Sequence, residues 1–314
     1  PPPPPPDFFF QADAATPDAE ESRGLGDVYK RQDPKGLPVN HHQNWQSGFL
    51  SPLYQGTRFR STGSPILNLK PEFKEPEGIT VEERDLIARL DRIHKSRRPA
   101  QPQLGARISS YELAARMQLE ASDALDITRE NKKTREMYGI GKDPTDSYGK
   151  RCLIARRLIE RGARFVTTNN GPSIKWDTHQ NNFNRLKNDL VPPMEQAYAA
   201  LLDDLRERGL LESTLVLWMG DFGRTPKINK DAGRDHWPQC YSVVLAGGGI
   251  AGGQVVGKSD RQGAYPTARA VSPADIHATV FAALGYDSQR LHYMSADGRP
   301  MPLSEGKPIS ELLG

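Results

Sequence analysis

Residues 214–238 read TLVLWMGDFGRTPKINKDAGRDHWP, and this stretch decides the predicted fold. Its first six residues, 214–219, form an apolar run with β-branched and aromatic members, which is typical of a strand buried on both faces. The loop that follows, residues 220–226, carries an aspartate, Asp221, and an arginine, Arg224. Open α/β sheets bind their ligands beyond the carboxyl ends of the strands, so the sequence predicts a functional site in this loop.

Two further polar clusters are predicted to lie near that loop. Asp235 and His236 follow Arg234 in the next part of the chain, and Asp177 with His179 follows another predicted strand. Carboxylate oxygens and imidazole nitrogens together suit zinc, manganese or iron better than calcium, whose sites consist of oxygen ligands. Each residue also has an ordinary structural explanation, since an aspartate can close a turn and a histidine can be a hydrogen-bonded core residue. Only their joint placement at strand ends favours a metal site.

The composition favours a globular α/β protein and argues against several other classes. With 26 prolines and 28 glycines in 314 residues, long ordered loops are expected rather than a helical bundle. The formal charge of +3 is small and basic residues lie beside acidic ones, so no nucleic-acid partner is expected. The sequence contains no apolar run of about 18 residues that could span a bilayer. Cys152 and Cys240 lack a CxxC spacing and are predicted to be small buried side chains.

The first 32 residues differ in character from the rest of the chain. They open with six prolines and end in GDVYKRQ, which resembles translated sequencing-adapter text. We therefore expect residues 1–32 to be a disordered and non-native tail, with a natural disordered tail as the alternative. The predicted folded domain spans residues 33–314.

Helices are predicted where capping residues precede an apolar stripe. A capping box at residues 80–83 opens a helix to about Ser96, and its apolar stripe is predicted to be core: Val81, Leu86, Ile87, Leu90 and Ile93. Ser147 is predicted to cap a second helix that ends before Gly162. A long helix to Arg208 is expected to be bent or interrupted at Pro192-Pro193 and closed by Gly209, and a last one runs from Ser272 to Leu284.

Short strands are predicted at residues 164–168 and 241–246. The first follows a helix, so a parallel crossover is expected. After the second, Gly247, Gly249 and Gly252 match GxGxxG literally, which would suggest a dinucleotide-binding enzyme. Residues 254–256 are strand-like rather than helical, so a glycine-rich hairpin or bulge is the favoured interpretation.

Four segments together resemble a bacterial family called domain of unknown function 1501, of the alkaline phosphatase and sulfatase superfamily. They are WDTHQNN from residue 176, LLDDLRERGLLESTLVLWMGDFGRTPKIN from 201, GRDHWPQCYSVVLAGGGIAGGQVVGKSD from 233 and SPADIHATVFAALG from 272. The resemblance covers roughly residues 33–314. It implies an alkaline-phosphatase-like α/β fold, with a mixed, largely parallel sheet and helices on both faces. For the superfamily it also implies hydrolysis of phosphate or sulfate monoesters at a metal site.

Site residues are implied by that resemblance position by position. Asp221 matches the metal-binding aspartate at the end of a core strand, and His236 is similar in position to the later histidine ligand. Asp177 and His179 resemble the earlier ligands more loosely. Phe222 departs from the pattern, because many members of the superfamily carry a histidine or asparagine there, and phenylalanine cannot coordinate a metal.

The resemblance further implies a strand with an aspartate ligand and a Ser, Thr or Cys nucleophile ahead of residue 33. The proline-rich and adapter-like text takes its place, so we expect an N-terminally truncated chain that lacks the first strand, the nucleophile and any export signal. Such a fragment is expected to be inactive, because the covalent step needs the nucleophile.

The sequence thus predicts a metal-dependent hydrolase of sulfate or phosphate esters that acts, when intact, in the periplasm or elsewhere outside the cytoplasm. Asp177, His179, Asp221 and His236 are expected to hold a divalent metal, zinc, manganese or iron. Two arginines, Arg224 and Arg234, are expected to bind the anionic group of a small ester substrate. The alternative is a non-catalytic binding or structural protein that kept the fold. The sequence does not determine the oligomeric state.

Overall fold

The computed structural model describes residues 79–98, 104, 108, 124–168, 176–294 and 298–313. The predicted tail, residues 1–32, lies outside this part of the chain. The chain divides into two compact units. Of the described residues, the first unit holds 79–98, 104, 108, 124–132 and 153–168, and the second holds 133–152, 176–294 and 298–313. The candidate site lies wholly in the second unit.

Helices and short antiparallel strands alternate along the described chain. The helices are α1 (Ile79–Ser96), α2 (Lys132–Met137), α3 (Asp146–Glu160), α4 (Asn182–Arg185), α5 (Val191–Glu207) and α6 (Pro273–Ala283). The strands are β1 (Val216–Trp218), β2 (Gly223–Arg224), β3 (His236–Trp237), β4 (Val244–Ala246), β5 (Lys258–Ser259), β6 (Pro266–Ala268), β7 (His292–Met294) and β8 (Pro300–Pro302). Single 3-10 turns lie at Ile127–Arg129, Leu211–Ser213 and Ser310–Leu312. The mixed helix and strand content predicted from the sequence is confirmed.

In the first unit, α1 ends at Ser96, as predicted, but it begins at Ile79, one residue before the predicted N-cap Thr80. Its apolar stripe is not buried, however, because Leu86, Ile87, Leu90 and Ile93 are each 49–56% exposed. The prediction that this stripe is core is therefore wrong for these four residues. An amphipathic pattern shows which face of a helix is apolar, but it does not supply the partner that would cover that face.

Local stop signals end the helices as predicted. After α3 the N–H of Ala163 donates to the carbonyl of Leu158 at 3.0 Å, and the N–H of Gly162 donates to that of Ile159 at 2.9 Å. Gly162 has a φ of 87°, so these two bonds form a Schellman motif that needs glycine. The strand predicted at residues 164–168 does not follow; Thr167 alone forms a β-bridge there.

The paired prolines interrupt the long helix, as expected. A π-helical turn, Leu186–Leu190, separates α4 from α5, and Pro192 and Pro193 lie in the first turn of α5. Proline has no N–H to donate to the carbonyl four residues earlier, and its ring crowds that carbonyl, so the regular ladder cannot continue through this point. Gly209 then ends α5 with a φ of 68°.

The strands form four two-stranded antiparallel sheets: β1 with β4, β2 with β3, β5 with β6 and β7 with β8. The part of the chain that the structure describes contains no parallel pair, so the largely parallel sheet is not shown. Parallel neighbours need a long crossover, usually helical, whereas β1 and β4 are joined through the β2–β3 hairpin. β1 is also not buried on both faces, because Leu217 is exposed.

A small apolar core in the second unit supports the strands beside the site. Ile276 of α6 packs with Ile309 and Leu312, and partly buried apolar residues surround them: Leu245, Ile250, Val256, Val271 and Val280. The glycine-rich turn after β4 is not followed by a helix, so the dinucleotide-binding interpretation fails. Among the described residues, no helix has both the length and the apolar character needed to cross a bilayer.

Candidate metal centre

The candidate site is built on residues 231–237, which pair with a different segment on each side. On one side β3 pairs with β2, with Arg224 opposite His236. On the other side the N–H of Arg234 donates to the carbonyl of Thr178 at 3.1 Å, and the N–H of Asn182 donates to that of Ala232 at 2.9 Å. Backbone hydrogen bonds thus hold three segments, distant in sequence, side by side.

Gly233 permits the close approach of two of these segments. A Cβ atom at this position would lie 1.8 Å from the carbonyl oxygen of His179 and 2.5 Å from the backbone nitrogen of Gln180. No side chain fits in that space. Glycine is therefore required where residues 231–234 pass the loop that carries His179.

Three metal-ligating side chains converge on this frame. Asp177 and His179 are two residues apart in the irregular loop that precedes α4. The Oδ1 atom of Asp177 lies 2.9 Å from the Nε2 atom of His179 and 2.9 Å from the Nε2 atom of His236. The two Nε2 atoms lie 3.1 Å apart. Within the described residues, these three side chains form a group that could hold a metal ion.

The chemistry and spacing of the three donors fit a divalent transition metal. Donors bound tetrahedrally to zinc at about 2.0–2.1 Å are about 3.3 Å apart, close to the observed separations. Two imidazole nitrogens and one carboxylate oxygen are a set that zinc and iron both accept. A hydrogen bond between the two Nε2 atoms would use the lone pair of only one imidazole. A cation between them would bind the lone pairs of both.

Asp235 lies behind His179 and fixes its orientation. The Nδ1 atom of His179 is 2.7 Å from the Oδ1 atom of Asp235, on the opposite side of the ring from the convergence point. Hydrogen bonds from His179 and from Asn229 lower the pKa of Asp235, so this carboxylate is an acceptor at neutral pH. Metal-bound histidines characteristically donate their second ring nitrogen in this way.

Arg224 contacts the carboxylate of the group directly. Its Nη2 atom donates to the Oδ1 atom of Asp177 at 2.6 Å and to the carbonyl of Trp176 at 3.1 Å, while its Nη1 atom donates to the carbonyl of Arg234 at 3.2 Å. Burial alone would raise the pKa of Asp177. Hydrogen bonds from His236 and Arg224, together with the charge of Arg224, outweigh burial, so the pKa lies below its ordinary value.

The site is open to solvent on one side and has an aromatic wall on the other. The side chains of Asp177 and His236 are each 36% exposed, and that of His179 is 42% exposed. The ring of Phe222 lies 4.3 Å from the imidazole of His236, centre to centre. A small molecule could therefore reach the three donors, while the phenyl ring holds His236 in place.

Sequence comparison identifies the family. The profile of the family described as "Protein of unknown function (DUF1501)" matches residues 17–313, which is nearly the whole chain. The chain belongs to the DUF1501 family. The match begins at residue 17 and so extends into the segment predicted to be a non-native tail. No curated protein and no solved structure matches the chain.

In this DUF1501 protein, the structure brings together three of the four predicted metal ligands. Asp221 does not belong to the group within which the ligand atoms of Asp177, His179 and His236 converge. It is exposed in the turn between β1 and β2, where its carboxylate accepts the N–H of Phe222 at 2.9 Å. Asp221 therefore lies outside the group that the other three predicted ligands form.

The two predicted anion-binding arginines differ in their contacts. Arg224 donates a hydrogen bond to Asp177 of the metal group, whereas the guanidinium of Arg234 donates to a backbone carbonyl of β2's neighbouring residue. The Nε atom of Arg234 donates to the carbonyl of Thr225 at 2.7 Å, which ties the β2 end to residue 234. Anion binding by the two arginines stays a prediction, and the contacts seen here are structural.

Asp235, predicted only as a neighbour of His236, and Asn229 were not among the predicted site residues. Asn229 begins the run NKDAG. An asparagine at the start of such a run can accept hydrogen bonds from backbone N–H groups that follow it in the chain. That pattern predicts a turn. It gives no indication that the same side chain reaches the loop of His179, because this contact spans 50 positions of sequence.

Proposed function

We propose that this DUF1501 protein is a metal-dependent hydrolase of sulfate or phosphate esters, and that its fold is related to that of alkaline phosphatase. The observation that carries the proposal is the triangle of Asp177 Oδ1, His179 Nε2 and His236 Nε2, with edges of 2.9, 2.9 and 3.1 Å. Asp235 also supports the proposal. It contacts Nδ1 of His179 and leaves Nε2 facing the other two donors, which is the arrangement typical of metal-bound histidines.

Three protein ligands with an open side favour a catalytic centre over a structural one. Structural zinc sites are closed by four protein ligands, whereas catalytic sites keep a position for water or substrate. A divalent metal held there would polarise the ester oxygen and neutralise part of the charge on the anionic group.

The protein's own residues then have distinct tasks. Asp177, kept ionised by its lowered pKa, supplies negative charge to the site, and Arg224 holds its carboxylate in position. We assign to Arg224, with Arg234, the orientation of the anionic group, because a ligand on the three donors would lie beside the Arg224 guanidinium. On the family resemblance we also propose that the protein acts outside the cytoplasm, which cell fractionation of a producing strain would test.

A second candidate is a metal-binding or structural protein without catalysis. The observation that favours it is Phe222, which packs on His236 at the position where the superfamily resemblance implies a further ligand. Only the hydrolase requires both bound metal and turnover.

Metal content and turnover together test the proposal. We expect about one zinc, manganese or iron ion per purified chain, measured by mass spectrometry, and loss of that ion in His236→Ala. His277→Ala is the matched control, because His277 is exposed on α6. Hydrolysis of 4-nitrophenyl phosphate and 4-nitrophenyl sulfate is measured on this chain and on a longer member of the family. Metal with turnover supports the hydrolase, and metal without turnover in both proteins supports a metal-binding protein without catalysis. Wild-type protein that takes up none of these metals and shows no turnover overturns the hydrolase and supports a structural protein.

A further inference from the structure

Asn229 connects the two loops of the metal group through every polar atom of its side chain. Its Nδ2 atom donates to the carbonyl of His179 at 2.9 Å and to the Oδ1 atom of Asp235 at 3.1 Å. Its Oδ1 atom accepts the N–H of Asp231 at 3.0 Å and that of Gly233 at 2.9 Å. Because the oxygen faces two backbone N–H groups and the nitrogen faces two oxygens, the orientation of the amide is unambiguous.

The contact with Asp235 requires a proton on Nδ1 of His179. Asp235 Oδ1 accepts a hydrogen bond from Asn229 and lies 2.7 Å from His179 Nδ1, so Nδ1 must be the donor in that contact. A neutral imidazole protonated on Nδ1 has its lone pair on Nε2, which faces Asp177 and His236. That is the tautomer a metal requires.

The alternative tautomer is close at hand, because a second carboxylate competes for the same ring. Asp177 Oδ1 lies 2.9 Å from His179 Nε2 and would accept a proton there. Holding Asp235 in place therefore decides between a metal ligand and a histidine that only donates to Asp177.

We propose that Asn229 is a positioning residue of the metal centre, which holds Asp235 on Nδ1 of His179 and thereby presents the Nε2 lone pair to the metal. The inference deepens the proposed function and rests on the proposed metal site. Asn229 contacts no metal-binding atom itself; it acts through Asp235 and through the backbone of His179.

The test replaces the amide without removing the turn. In Asn229→Asp one carboxylate oxygen can still accept the N–H groups of Asp231 and Gly233, but the other faces two oxygens that formerly received hydrogen bonds. We expect zinc affinity, measured with zinc chloride against a chromophoric chelator, to fall about 10–100-fold, as for losses behind other metal-bound histidines. Asn188→Asp makes the same change in charge at an exposed position and is expected to leave zinc affinity unchanged.

A double variant separates positioning from a general loss of structure. In Asn229→Asp with Asp235→Asn, the carboxylate that Asn229 holds on Nδ1 of His179 is already absent, so the change at residue 229 has less left to remove. We expect zinc to bind the double variant more tightly than the product of the two single effects predicts. Equal affinities of wild type and Asn229→Asp, with both folded by near-ultraviolet circular dichroism, would overturn the inference.

The tautomer itself gives a readout that does not depend on metal. Long-range proton–nitrogen spectra of metal-free wild-type protein, labelled with nitrogen-15 at histidine and assigned with His179→Gln, should show His179 protonated on Nδ1. Protonation on Nε2 alone contradicts the inference whatever the variants do. Wild-type protein that shows the Nδ1 proton but takes up neither zinc, manganese nor iron would sink the proposed function, and Asn229 would then fix only the tautomer of His179.

Discussion

Replacement of Gly233 by alanine should separate the two loops of the site. The added Cβ would lie 1.8 Å from the carbonyl oxygen of His179 and 2.0 Å from its carbonyl carbon, so the backbones must move apart by about 1.6 Å to reach ordinary contact at 3.4 Å. Such a shift breaks the backbone hydrogen bonds from Arg234 to Thr178 and from Asn182 to Ala232, each worth about 1 kcal/mol. Together with overpacking strain of about 1–3 kcal/mol, we expect a loss of about 3–5 kcal/mol in the free energy of unfolding.

The same shift should remove His179 from the metal group. A zinc–nitrogen bond of about 2.0–2.1 Å does not tolerate a displacement of that size. We therefore expect zinc affinity to fall by about 100-fold or more. Urea unfolding gives the stability and chelator competition gives the affinity. Gly252→Ala is the matched control, because a Cβ there meets no atom within 4 Å. A folded Gly233→Ala protein that binds zinc as the wild type does would refute the reasoning from loop spacing to ligand geometry.

Two further predictions concern stability away from the metal group. Glu130 lies against Arg156 at 2.8 Å and against Arg157, with the Arg156 side chain 0% and that of Glu130 8% exposed, so Glu130→Gln should cost about 3–5 kcal/mol in urea unfolding at pH 7. Burial raises the pKa of Glu130, but the hydrogen bonds and charges of both arginines lower it by a larger amount, so the net pKa is below 4.5. The ion pairs therefore contribute their full stabilisation of the folded state above the ordinary pKa of 4.5. As pH falls through the lowered pKa, the difference in free energy of unfolding between wild type and Glu130→Gln should shrink. A difference that stays constant down to acid pH would contradict the stabilising role of ionised Glu130. Ser272→Ala should lower the free energy of unfolding by about 1 kcal/mol, because Ser272 and Asp275 form a reciprocal capping box at α6; an unchanged urea midpoint would show that the box contributes nothing.

Features whose signals act within a few residues were predicted well. The capping box at Ser272 and the left-handed Gly162 appear in the structure as expected, because both satisfy backbone groups of the adjacent helix turn. The interruption at Pro192 follows equally directly from the missing N–H. In each case the sequence and the structural consequence lie within one turn of helix.

Predictions that needed a distant partner fared less well. The apolar stripe of α1 shows a helix face, yet Leu86 and Leu90 remain half exposed because nothing in the local pattern specifies a covering element. Strands were predicted at residues 214–219 and 241–246, and the structure contains β1 and β4 within these ranges. The two strands pair antiparallel, however, whereas a mixed, largely parallel sheet was expected. Asp221 has the residue type and sequence position of a ligand, but in the structure it lies in the turn between β1 and β2 and outside the group of three ligands.

The amino-acid sequence by itself determined the helix ends, the glycine-rich turns and the residue types that make a metal site plausible, since these depend on backbone conformations and chemistry encoded locally. Only the tertiary structure decided which of these residues meet. His179 and His236 are 57 positions apart, and they converge because residues 231–237 pair on both sides and because Gly233 lets the backbones touch. Long-range pairing of this kind depends on the fit of whole segments, so the ligand set and the roles of Asp235 and Asn229 emerge only once the loops are packed together.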